Sequence, residues 1–178
     1  MSRDQAGLGS MQNKGNIMVQ DVWSTIVSEF SDLPDLATIT RITVRLVLAA
    51  ALGGALGYER ERRAKSAGVR THMLVAVGSA LFVIGPLQSG VLLEDLSRVL
   101  QGIVQGIGFL GAGAIIVDQA RQKAQGLTTA ANIWATAGVG MLAGLGLEAT
   151  AVLSAAIMLI ILAVIPRIIP PVSEPADD

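Results

Sequence analysis

Three short polar stretches interrupt an otherwise apolar chain, and they carry most of the side chains able to do chemistry. The first holds Glu59, Arg60, Glu61, Arg70 and His72, the second begins at Asp118, and the third contributes Thr128, Thr129 and Asn132. Carboxylate, hydroxyl and amide oxygens together suit a hard cation such as magnesium, with Glu59, Asp118 and Asn132 as the candidate ligands. The alternative is that Thr128, Thr129 and Asn132 join helices by hydrogen bonds, which contribute about 0.6 kcal/mol on average in membranes. Arginine and lysine from the same stretches would equally satisfy the carboxylates, so both readings stay open. His72 is the single histidine and suits an interface side chain, a ligand or a pH sensor. No hydroxyl, base and acid stand at a spacing that suggests a nucleophilic triad, so no catalytic residue is assigned and no enzyme is expected.

A second polar set consists of Arg45, Arg98, Gln101, Gln105 and Glu148. At 100° per residue, Arg98, Gln101 and Gln105 share a face of about 60°. Such residues are expensive inside a membrane unless paired or wet, so they either lock helices together or line the mouth of a shallow cavity.

The elements that must position these groups are membrane helices. Of 178 residues, 52% are hydrophobic and 15% charged, whereas a soluble domain carries about 25% charge. There is no cysteine, which removes disulfides, thiol catalysis and thiolate metal sites. A net charge of -1 and 3% aromatic residues give no basic, aromatic groove for nucleic acid. The expected partner of most of the surface is the lipid bilayer.

Residues 1–16 lack the basic start and apolar core of a signal peptide and predict a mobile tail. Val19, Val22, Trp23, Ile26, Val27, Phe30 and Leu33 recur at helical spacing and predict an amphipathic helix, broken by Pro34. Five spans follow, at 39–58, 71–87, 99–117, 127–147 and 149–165, each near the roughly 20 residues that cross a bilayer. Gly68 is the expected helix stop, Thr71 the expected cap of the second span, and Glu59 and Arg63 an expected i, i+4 pair. The fold class is therefore all-α, a five-helix membrane bundle over 39–165, preceded by 1–38 and followed by a short tail, 166–178.

Glycine sets the packing. In the third span Gly102, Gly106 and Gly113 fall within about 40° of one another, with Gly108 and Gly111 on the other side. Small residues let helix backbones approach closely, so this span is expected to be the central helix. Gly53 with Gly57, and Gly140 with Gly144, stand at the same four-residue interval and predict further contacts, including self-association. Gly106, Gly108 and Gly111 also spell a dinucleotide-binding fingerprint, but no strand precedes it and no acid stands about twenty residues on. Packing is the better reading.

Orientation follows from lysine and arginine. Five spans place Arg60, Arg62, Arg63, Lys65, Arg70, Arg121, Lys123 and Arg167 on one side, against Arg3, Lys14, Arg41 and Arg98 on the other. The positive side is cytoplasmic, so the N-terminus is expected outside and the C-terminus inside.

Three stretches, GYERERRAKSAGVRTHMLVAVGSALF at 57–82, RVLQGIVQGIGFLGAGAII at 98–116 and GLTTAANIWATAGVGMLAGLG at 126–146, together resemble the MgtC/SapB family of bacterial inner-membrane proteins. The resemblance implies a five-span protein linked to growth in low magnesium and, in some pathogens, to survival in host cells and inhibition of the ATP synthase. It does not imply magnesium transport. The matching motif residues are Glu59, Arg60, Glu61, Lys65, Gly68, Arg70, Thr71 and His72, then Arg98, Gln101, Gly106, Gly108, Gly111 and Gly113, then Gly126, Thr128, Thr129 and Asn132. Gln105 departs from the pattern, standing where a small residue is commoner. Many relatives carry a soluble C-terminal domain, and with Asp178 as the last residue, regulation through such a domain is expected to be missing. The function expected is a small membrane regulator acting through helix contacts, with an oligomeric magnesium or proton transporter as the alternative.

Overall fold

A computed structural model describes residues 18–32, 35–118 and 123–168. The chain divides into two compact units, residues 1–41 and 42–178. In the first, α1 covers 18–29, and its apolar residues, Trp23 among them, are exposed. The expected mobile tail and the helix-breaking Pro34 lie outside the described residues. Helix α2 (Leu36–Arg62) starts at Asp35, whose carboxylate accepts the Thr38 N–H at 2.6 Å, an N-cap that uses an orphan donor of the first turn. That hydrogen bond holds the Asp35 carboxyl below its usual range.

The second unit holds the rest of α2 with α3 (Val69–Gln88), α4 (Leu93–Gly113), α5 (Leu127–Leu145) and α6 (Glu148–Ile168). Between α4 and α5, β1 (Ile116–Asp118) and β2 (Lys123–Gln125) pair antiparallel, Ile116 opposite Gln125 and Asp118 opposite Lys123. Helix α4 therefore sits several residues earlier than the expected third span. Glu94 and Asp95, read as loop, form the acidic first turn of α4, where carboxylates complement the helix dipole. Ile116 and Val117, read as helix, belong to the ribbon. Among the described residues, α2, α3 and α6 are long and apolar enough to cross a membrane by length and composition.

The core is built of small side chains. Ala49, Ala76, Ala80, Ala143, Ala151 and Ala155 are buried with Leu56, Ile84, Val139 and Leu162. Helix α5 is the middle of this unit, packing against α3, α4 and α6 and touching α2 at both ends. A Cβ on Gly140 would land on the Ala76 carbonyl oxygen, and one on Gly144 would stand 2.8 Å from that of Ala80, so these positions admit no side chain. Gly53 and Gly57 do the same for α2, with Cβ positions 2.5 Å from the His72 carbonyl oxygen and 2.6 Å from the Val69 Cα.

Helix α4 is not central. Gly102, Gly106, Gly108 and Gly113 are exposed with open space where a Cβ would be, and only Gly111 meets a neighbour, Ala130 of α5. The small-residue rule describes what a helix permits; α4 packs on α5 and α3 through residues other than Gly102, Gly106, Gly108 and Gly113.

Candidate functional site

Two tight turns bring the polar residues of α2, α3 and α5 to one end of the bundle. Helix α2 ends in a Schellman-type turn, with Ala64 N–H donating to Glu61 O at 3.0 Å and Lys65 N–H to Arg60 O at 3.1 Å. Ala64 takes the left-handed conformation there, φ 50°, so the helix stops before the expected Gly68. Gly68 instead precedes the first turn of α3, and Glu61 reaches across the turn to accept the Val69 N–H at 2.9 Å. Glu61, not Thr71, supplies the capping oxygen. The third element enters through Gly126, whose φ of 90° and contact with the Ala114 carbonyl leave no room for a side chain.

Within this frame Arg60, His72, Thr129, Asn132 and Thr136 are all buried, from 0% to 4% exposed. Arg60 Nη2 donates to Thr129 Oγ1 at 3.1 Å. Asn132 Nδ2 donates to His72 Nε2 at 2.8 Å, which leaves His72 Nδ1 to donate to the Gly68 carbonyl at 2.9 Å. With one ring nitrogen donating and the other accepting, this is the neutral imidazole. Thr136 Oγ1 returns its proton to the Asn132 carbonyl at 2.7 Å. The layer thus holds two hydrogen-bonded groups, Arg60 with Thr129 and His72 with Asn132 and Thr136.

The remaining expected members stand elsewhere. Glu59 pairs with Arg63 on the α6 side of α2, and Arg63 also donates to the Ala163 carbonyl at 3.3 Å. Arg70 and Thr128 are exposed. Asp118 lies in β1, and its side chain lies outside the described residues, as does Arg121. Of the three candidate metal ligands, Glu59 is turned to Arg63 and Asn132 spends its amide nitrogen on His72. Among the described residues no three His, Asp or Glu side chains converge.

The other polar set separates too. Arg45 lies fifteen residues before Arg60 on α2, about 22 Å along the axis. There it donates to the Gly144 carbonyl at 3.1 Å, lies 3.7 Å from Glu148, and occupies the space beside Gly146. Gly146, at φ 80°, closes α5, so Arg45 places its positive charge on the last carbonyls of one helix and beside the first acid of the next. Arg98, Gln101 and Gln105 do not join it. All three are exposed on α4, Arg98 lying 3.9 Å from Asp95.

Sequence reasoning placed Arg60 among the polar residues without seeing its burial. The signal was present: Gly53, Leu56, Gly57 and Arg60 follow the i, i+3, i+4, i+7 spacing of one helix face. Glu61 as a capping residue carried no such signal.

The MgtC family model matches residues 46–169. The chain is 43% identical over 128 residues to "Putative magnesium transporter YhiD" of Escherichia coli K12, covering 68% of this chain and 59% of that protein. It is 44% identical over 117 residues to "Protein SrpB" of Synechococcus elongatus, covering 60% and 64%, and 42% identical over 103 residues to "Protein MgtC" of Salmonella typhimurium, covering 58% and 43%. The chain therefore spans less than two thirds of the length of each of these relatives. No solved structure matches it. The matched region runs through all five helices of the second unit, and by it the chain is a membrane protein belonging to the MgtC family.

Proposed function

We propose that this protein is a small regulator in the bacterial inner membrane, linked to magnesium limitation, that acts by contact between membrane helices and not by enzymatic chemistry. The observation that carries this reading is on α4, where Gly102 and Gly106 have no atom within 4 Å of the place a side chain would start and line a cavity of about 580 Å³ beside α3. A second copy of the chain is the occupant proposed, since the same spacing is filled by this chain's own helices at Gly53 with Gly57 and Gly140 with Gly144. Two of the matched relatives carry magnesium-related or MgtC names, which supports the link to that ion. Helices α2 to α6 are the five spans, with α4 and α5 diluted by Gln101, Gln105, Thr128 and Asn132, and the Arg60 end faces the cytoplasm.

The transporter alternative is favoured by the name of the YhiD relative. Against it stands the layer of Arg60, Thr129, His72 and Asn132, in which Arg60 donates to Thr129 and Asn132 to His72, and where no three acidic or histidine side chains converge among the described residues. Liposomes holding purified protein separate the readings. The regulator account expects no magnesium or proton flux above empty vesicles, whereas flux that falls on Asn132→Ala or Glu59→Gln would establish transport.

A further inference from the structure

Among the described residues Arg60 makes no ion pair. It is 3% exposed, and among those residues its guanidinium reaches only the neutral hydroxyl of Thr129 and its Nε has no hydrogen-bond partner. The carboxylate beside it in sequence, Glu59, pairs with Arg63 instead. Buried charges are ordinarily paired, because removing an ion from water without compensation is strongly unfavourable.

Arg60 and Thr129 form part of the wall of a cavity of about 620 Å³. The turn at Ala64 brings Lys65 into the same wall. Gly126 and Thr128 line it too, so the cavity opens on the first turn of α5, a helix of 19 residues whose N-cap residue, Gly126, has no side chain to cap it. Arg63 lines the wall as well but is already paired with Glu59. The N–H groups of a helix start, hydroxyl donors and the two other cations, Arg60 and Lys65, make a donor set complementary to an oxyanion with several acceptor oxygens. The far wall is apolar, formed by Ile161 and Ile165 of α6.

We infer that this cavity between the α2 turn, the start of α5 and the end of α6 binds a phosphate group, held by Arg60, Lys65, Thr128 and the α5 N-terminus. The group belongs either to an anionic phospholipid, whose chain would lie along the α6 wall, or to a soluble phosphate. The inference goes beyond the proposed regulator role and holds whether or not the α4 face meets a second copy.

The test uses the full chain purified in uncharged detergent without phosphate. Native mass spectrometry with phosphatidylglycerol against diacylglycerol probes the lipid source, and calorimetric titration with inorganic phosphate probes the soluble one. Retention of phosphatidylglycerol alone assigns the lipid, and a saturable phosphate isotherm assigns the soluble ion. In either case Lys65→Gln with Thr128→Val, both exposed positions that leave the core intact, is expected to weaken binding by about tenfold or more, and Arg60→Gln by at least as much. Absence of binding in both arms, or binding unchanged in the Lys65 and Thr128 double variant, would overturn the inference.

Discussion

Glycine pairs at the same four-residue interval meet opposite fates in this protein. At Gly53 with Gly57 and Gly140 with Gly144 a neighbouring backbone occupies the place a side chain would take, while at Gly102 with Gly106 that place is empty. Both sets allow close approach, and the chain's own helices use only the first. An interval of four between glycines states that a helix is approachable and leaves open what approaches it. The first set accounts for the fold, and the second is where the chain has surface left for another molecule.

The largest effect should come from closing an occupied site. Gly140→Ala puts a methyl on the Ala76 carbonyl, and overpacking of this kind costs about 1–3 kcal/mol or more, measured as lost thermal stability in detergent. Gly106→Ala meets open space and should leave stability unchanged or raised by up to about 1 kcal/mol, the helix preference of alanine. Equal losses at both positions would erase the distinction. Next in size is Asn132→Ala, which leaves His72 Nε2 buried without its donor, for about 1–3 kcal/mol, read by the same melting experiment. Smaller and opposite in sign is Ala64→Gly, which should add about 0.4–1 kcal/mol by relieving a left-handed backbone.

The smallest effect lies outside the bundle, at the start of α2. The Asp35 carboxyl sits below its unfolded value, so its capping contribution is present above that value and is lost as pH falls through the still lower folded one. Thr38 amide exchange should therefore accelerate at strongly acidic pH and be pH-independent near neutrality once intrinsic exchange is subtracted; Asp35→Asn should shift that response while the Gly140 result stays as it was.

Much of the fold was legible because its signals are local. Apolar run lengths located the helices, and the Glu59 and Arg63 spacing anticipated their pair. What was not legible depends on which elements become neighbours. Arg45 reads only as a costly charge until the end of α5 is known to lie beside it, and Glu61 reads as a solvated acid until the turn at Ala64 folds it back onto Val69. Taking α4 as central was an error of the same kind, since five glycines advertise a contact without naming its owner. Its late boundary was a local misreading, because Glu94 and Asp95 are the acids a helix start attracts.

The most direct test of the regulator account exploits the absence of native cysteine. Single cysteines at Gly102 or Gly106 on α4, and at Val152 on the exposed side of α6, are oxidised in native membranes and resolved by size. The account predicts a crosslinked dimer through the α4 positions and monomer through Val152, whereas monomer at every position, or equal crosslinking at all three, would contradict it.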